Sequence, residues 1–157
     1  MTSLNAFIII RFMETLHFIE FDRARNFLRI SVCGDRSPEA SAALVADMYK
    51  AAERFKTRSF LIDLRAARYN GPATELVARF STMANGSRRC RLAFLVHSPN
   101  DPAGVLLNHA NRAAWHDTLL TANLQTAETF LANRQTPRDR LPPPASRGTR
   151  MEIPLNL

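Results

Sequence analysis

Apolar and polar positions follow two different periods along this chain, and the change of period predicts strands interleaved with helices. Over residues 27–33 apolar and polar side chains alternate, which is typical of a strand with one buried face. Over residues 38–55 apolar positions recur every three or four residues, which predicts an amphipathic helix. Ser37 as N-cap and Pro38 in the first helical position favour a helix start at this point, and Asp101 with Pro102 favours another one in the same way.

The same patterns continue to residue 133. They predict strands over 16–21, 59–64, 91–97 and 118–122, and helices over 72–84, 102–115 and 124–133. The order β-β-α-β-α-β-α-β-α predicts an α/β fold whose mixed sheet is mostly parallel and opens with an antiparallel hairpin. The apolar run of 59–64 indicates a central strand covered on both faces, and residues 65–71 read as a loop.

Composition divides the chain into three parts. Residues 1–15 are expected to be an N-terminal extension from a mis-called start codon, with an extra edge strand as the alternative. Residues 16–134 form the predicted domain, since 157 residues suffice for one domain. Residues 135–157 combine prolines and arginines without periodicity and are expected to be a disordered tail.

The chain is strongly basic, with a net charge of +7. Its basic residues are 19 arginines and only two lysines. We interpret this skew as a compositional bias of the source genome. From Arg134 onward the charge is +3, so any nucleic-acid affinity is expected to be weak and to come mainly from the tail. No sequence-specific nucleic-acid binding is expected, because no aromatic residue flanks the basic segment Arg88–Arg91 in the sequence.

The N-terminal apolar residues 7–10 are too few to cross a membrane and lack the features of a signal peptide. We therefore expect a cytoplasmic protein with no membrane span. Cys33 and Cys90 lie in apolar surroundings without CxxC spacing, so buried free thiols are expected. Trp115 is expected to lie in the core or at an interface.

Four segments in this order resemble the STAS superfamily, and within it the SpoIIAA-like branch. They are the hairpin strand at 27–34, the central strand at 60–65, the strand at 91–96, and the closing strand and helix at 121–131. The resemblance covers residues 16–133. It implies a non-enzymatic regulatory or binding module whose partner is another protein or a small hydrophobic ligand, and a homodimer is left open.

The chain departs from that superfamily after the central strand. Anti-sigma factor antagonists of the superfamily carry an Asp-Ser-Ser-Gly motif there, with a phosphorylated serine. The equivalent segment 65–71 contains no serine or threonine, and Thr74 is the first one that follows. The sequence therefore predicts a module without a phosphoserine switch.

The candidate ligand- or partner-binding surface lies at the carboxyl end of the central strand, where open α/β sheets tend to bind ligands. It consists of Asp63, Arg65, Arg68, Tyr69 and Asn70. Asp63 has two interpretations: a carboxylate kept ionised by Arg65 at a ligand site, or a strand-end carboxylate that accepts structural hydrogen bonds.

No sequence motif indicates catalysis. Glycine-rich phosphate loops and the GxSxG motif are absent, and His17, His97, His109 and His116 lack metal-binding spacing. We expect no catalytic residue, metal or cofactor. The alternative is a small-molecule enzyme on an α/β scaffold. A buried His–Asp or His–Cys pair in a cleft would favour this alternative. A third class is a basic nucleic-acid-associated protein, which a contiguous positive face on residues 16–133 would favour.

Overall fold

The computed structural model describes residues 10–11, 17–86 and 88–133, and it confirms the predicted α/β fold class. The predicted tail at 135–157 and most of the predicted extension at 1–15 lie outside the described residues. The strands are β1 (Ile10–Arg11), β2 (His17–Asp22), β3 (Phe27–Asp35), β4 (Ser59–Arg68), β5 (Arg91–Leu95) and β6 (Asp117–Thr121). The helices are α1 (Pro38–Phe55), α2 (Ala73–Asn85), α3 (Pro102–Ala113) and α4 (Leu124–Ala132).

The strands form one mixed sheet in the order β1-β2-β3-β4-β5-β6. The β1–β2 and β2–β3 pairs are antiparallel, and every pair from β3 to β6 is parallel. The hairpin of β2 and β3 turns at Asn26, which has the left-handed φ of 57° that asparagine tolerates. All four parallel strands therefore end at one edge of the sheet, which we call the carboxyl edge, and begin at the opposite amino edge.

The two faces of the sheet carry unequal layers. Helices α1, α2 and α3 cover one face, where Leu44, Phe80 and Leu107 pack with the strand residues of the main core. Helix α4 alone packs on the other face, in a smaller cluster that includes Leu61 and Leu131. The prediction that 59–64 is covered on both faces is confirmed, because Phe60 belongs to the first cluster and Leu61 to the second.

Helix starts follow the predicted capping residues. Ser37 accepts a hydrogen bond from the N–H of Ala40 at 3.1 Å, and Asp101 accepts one from Gly104 at 2.7 Å. Gly104 also lets α3 approach β5, since a Cβ there would lie 2.9 Å from Cγ1 of Val96. Among the described residues, no helix combines the length and the apolar character needed to cross a bilayer.

Two local predictions are wrong. Residues 65–68 are not a loop, because β4 continues to Arg68 beside β3, and only residues 69–72 connect it to α2. Cys33 is half-buried rather than buried, since it lies on the sheet face that α4 covers only in part. Cys90 is buried as predicted, and both thiols are free.

Candidate ligand-binding site at the carboxyl edge

The five candidate residues all follow the middle of β4, but the structure divides them between two places. The pairing of β3 with β4 shifts between Ser31 and Cys33, which are opposite Asp63 and Ala66, so β4 contains one extra residue here. Asp63 and Arg65 line a pocket of about 300 Å³ together with Cys33. Arg68, Tyr69 and Asn70 instead line a second pocket, between β4 and the starts of α2 and α3.

Asp63 is held by Arg65 in a three-point contact. Oδ1 of Asp63 accepts hydrogen bonds from the backbone N–H of Arg65 at 3.1 Å and from the Nε–H of Arg65 at 2.9 Å. Oδ2 of Asp63 accepts a hydrogen bond from the Nη2–H of Arg65 at 2.7 Å. Arg29 lies 4.0 Å from Oδ2. Burial raises the pKa of Asp63, but the hydrogen bonds and charge of Arg65 and the charge of Arg29 outweigh it, so the pKa lies below its usual range. The carboxylate is therefore ionised by the charge of Arg65, as the first interpretation expects, and its acceptor sites serve structural bonds, as the second expects; its role at a ligand site stays a prediction.

Arg68 and Asn70 meet on one carboxylate at the rim of the sheet. Nε–H of Arg68 donates to Oδ1 of Asp35 at 2.8 Å, and Nδ2 of Asn70 lies 3.4 Å from the same oxygen. The bond and charge of Arg68 hold the pKa of Asp35 below its ordinary value. Both partners are largely exposed, so the pair orders the rim more than it stabilises the fold.

Tyr69 packs inward with its ring against the core. The ring stands edge-on to Phe80 at 5.2 Å, and the guanidinium of Arg79 lies 5.5 Å from the Tyr69 centroid. Burial raises the pKa of the Tyr69 hydroxyl, against the charges of Arg36 and Arg79, which lower it. The Tyr69 side chain therefore lines the site, and its position is fixed by packing against Phe80.

The second pocket is a cavity of about 410 Å³ at the carboxyl edge that is partly open to solvent. Its rim carries Arg68, Asn70 and Asp101, while most of the remaining lining is apolar and comes from β4, α2 and α3. That lining includes Leu64, Ala67, Leu76, Pro102, Ala103 and Leu106. This volume lies within the range of about 300–1,000 Å³ that small-molecule sites occupy. An apolar wall with a few polar groups at the rim suits a small ligand that is mainly apolar.

Apart from Arg65, the titratable side chains that line the 300 Å³ pocket form no hydrogen bond or ion pair with one another in the described part of the chain. Cys33, Asp63 and His97 all line it, yet within the described residues the carboxylate of Asp63 has arginine partners and no bond to either of the others. The buried pair His17–Asp47, at 2.9 Å, joins β2 to α1 and lines neither this pocket nor the 410 Å³ cavity. No His–Asp or His–Cys pair therefore faces either of these two spaces.

Sequence reasoning missed the part of the site that α3 contributes. The local pattern around Asp101 and Pro102 predicts only a helix start, and the pattern around Asp35 predicts only the end of a strand. The rule that parallel strands end at one edge was a usable signal, because it places the start of α3 beside the end of β4. Within the described residues, no group of three His, Cys, Asp or Glu side chains is arranged to hold a metal ion.

The chain matches no protein-family model, no curated protein and no solved structure.

Proposed function

We propose that this chain is a non-enzymatic binding module, of the STAS-like class that its sequence resembles, and that it holds a small, mainly apolar ligand at the carboxyl edge. The observation that carries the proposal is the 410 Å³ cavity between β4, α2 and α3, with its apolar lining. The absence of a His–Asp or His–Cys pair at this cavity favours binding over catalysis, in the described part of the chain.

The rim supplies the polar groups that would orient the ligand. The amide of Asn70 and the guanidinium of Arg68 stand at the mouth, where Asp35 holds them in place. Helix α2 begins here with Pro72 as its N-cap, which offers no side-chain hydrogen bond to the first-turn N–H groups. A ligand with one hydrogen-bonding group at the end of an apolar body fits these features.

Native mass spectrometry of the full chain purified from its own host tests the proposal. We expect the protein to retain a small molecule, and the variant Ala103→Phe to lose it, because Ala103 lines the cavity and a phenyl ring would occupy part of it. Ala78→Phe is the matched control, since Ala78 lies on the exposed side of α2 and outside the cavity lining.

Titration with anilinonaphthalene sulfonate gives a second measurement that needs no natural ligand. We expect the dye to bind the wild type and Ala78→Phe, and to bind Ala103→Phe much more weakly. Equal retention and equal dye binding in a folded Ala103→Phe protein would contradict the site. A stable complex with another protein in place of a small molecule would support the protein-partner alternative.

A further inference from the structure

Basic side chains are concentrated at the amino edge, opposite the proposed ligand cavity. This edge comprises the turn at 22–26, the connections at 56–58, 88–90 and 114–116, and the adjoining ends of strands and helices. It carries four acidic side chains, those of Asp22, Glu53, Asp117 and Glu128. Against these it carries nine basic ones, from Arg23, Arg25, Arg54, Lys56, Arg58, Arg88, Arg89, Arg91 and Arg112. This surplus of five exceeds the net charge of +4 that residues 17–133 carry, so the positive charge of the domain lies on this side.

Hydrogen bonds join the segments of the amino edge into one surface. Oγ1–H of Thr57 donates to the carbonyl of Asn26 at 2.8 Å, which ties the first turn to the next connection. The N–H of Arg91 donates to the carbonyl of Arg58 at 2.8 Å. The N–H of Cys90 donates to Nδ1 of His116 at 3.0 Å, so the connection after α3 lies against the Arg88–Arg91 segment.

Carboxylates neutralise only part of this surface. Arg25, Lys56, Arg58 and Arg91 each lie within 4.0 Å of a carboxylate. The other five basic side chains have no carboxylate partner among the described residues and are exposed; they are Arg23, Arg54, Arg88, Arg89 and Arg112. Arg54 and Arg112 occupy last helical turns, where a cation also stabilises the helix dipole. Arg23, Arg88 and Arg89 lie outside helices, so the dipole does not account for them.

Trp115 adds an exposed aromatic ring to this edge. Its side chain is 52% exposed, which is the largest exposure among the large apolar residues that the structure leaves at the surface. Its φ of 67° is left-handed, a conformation that glycine or asparagine adopts more easily than a bulky residue. The indole belongs to neither of the two core clusters. The sequence did not reveal it as a neighbour of the basic segment, because the two connections are joined by bonds between residues distant in the chain, from Cys90 to His116 and from Asp117 to Cys90.

We propose that the amino edge binds single-stranded nucleic acid without sequence preference. Guanidinium groups without carboxylate partners would neutralise successive phosphates, and the face of Trp115 would stack on an unpaired base. Single strands fit better than a duplex because a base inside a duplex does not offer its face to an indole ring. The ligand cavity opens at the opposite edge, so this site is independent of the proposed function.

The test uses the full chain and a fluorescein-labelled fifteen-residue oligothymidylate at low salt. Trp115 is the only tryptophan of the chain, so its emission reports stacking directly. We expect quenching on titration, and anisotropy to show about tenfold weaker binding for Trp115→Gly, with Trp115→Tyr close to the wild type. We expect Arg88→Gln/Arg89→Gln/Arg112→Gln to reduce the slope of log affinity against log salt by about 2, as the loss of three phosphate contacts requires.

The matched control removes the same charge from the tail, as Arg138→Gln/Arg140→Gln/Arg147→Gln. We expect it to keep Trp115 quenching and most of the affinity. Equal loss in both triple variants would overturn the proposal, since it would show that overall charge or the tail carries the binding. Binding without quenching would overturn it as well, and so would a blue shift of Trp115 with phosphatidylglycerol vesicles in a protein that does not bind the oligonucleotide.

Discussion

The Asp63 carboxylate accepts both the backbone N–H and the guanidinium of Arg65, two residues further along the same strand. This contact lies where β4 takes up one extra residue relative to β3, so the carboxylate supplies an acceptor at a point where the strand pairing is irregular. Asp63 therefore supports the backbone that carries Arg68 and Tyr69 to the 410 Å³ cavity, in addition to lining its own pocket.

Substituting Arg65→Met should remove this support. Asp63 would keep the backbone N–H of residue 65 and would have only the more distant Arg29, at 4.0 Å, as a charged partner, so its buried carboxylate would lose two charged hydrogen bonds. Because Arg65 is itself partly exposed, we expect a loss of about 1–2 kcal/mol at neutral pH, measured by urea denaturation. An unchanged unfolding midpoint would contradict the role given to this pair.

The free energy of unfolding should depend on pH through the same Asp63–Arg65 pair. The folded pKa of Asp63 is lowered, so its contribution is fully present above the unfolded value of about 3.9 and is lost as the pH falls through the lower folded pKa. We expect the stability difference between wild type and Arg65→Met to be greatest near neutral pH and to shrink below about pH 4. A difference that is constant from pH 7 to pH 2 would show that Asp63 is not the group involved.

Two substitutions of Tyr69 should separate the contribution that its ring makes to stability from the contribution of its hydroxyl group. The ring lines both the 410 Å³ cavity and a small internal cavity of about 50 Å³, and it packs on Phe80. We expect Tyr69→Ala to destabilise the protein by about 2–3 kcal/mol, and Tyr69→Phe to change stability by less than about 1 kcal/mol. Thermal unfolding measures both, and Arg68→Ala, which alters only an exposed pair, should leave Tm nearly unchanged.

His116 should be a structural residue. Its Nδ1 accepts the N–H of Cys90 at 3.0 Å, and its Nε2 lies 3.0 Å from the carbonyl of Ala84, which joins the end of α2 to the start of β5. We expect His116→Phe to lose about 2 kcal/mol, because the buried N–H of Cys90 would lose its acceptor and the bond to the carbonyl of Ala84 would be lost as well. His109→Phe is the control, since His109 is exposed on α3 and should leave the unfolding free energy nearly unchanged. Equal stability of the two variants would contradict this role.

The backbone at Trp115 gives a prediction about stability that does not depend on ligands. At a φ of 67° an L-residue with a Cβ is disfavoured relative to glycine. We expect Trp115→Gly to be at least as stable as the wild type, and more stable than Trp115→Ala by about 1 kcal/mol, in urea denaturation. The reverse order would mean that the indole ring contributes to the fold through contacts that outweigh its backbone conformation.

Local pattern was sufficient for most of the elements. The alternation in 27–33 and the capping residues Ser37 and Asp101 act over a few neighbours, so they can be read directly, and the structure agrees with them. The end of β4 could not be read in this way. Residues 65–68 are polar or small, and they extend the strand because β3 offers Cys33 to Asp35 as pairing partners and Asp63 bonds the N–H of Arg65.

The sequence by itself determined the α/β class, the order of strands and helices, and the edge of the sheet at which Asp63 to Asn70 lie. Hydrophobic period and connection type limit those choices strongly. Tertiary structure alone decided that these five residues divide between two pockets, that α3 completes the 410 Å³ cavity, and that the connection containing Trp115 lies beside the basic segment. The reason is physical: one extra residue in a strand changes which side each following side chain faces, and contacts between residues distant in the chain leave no periodic signal in the sequence.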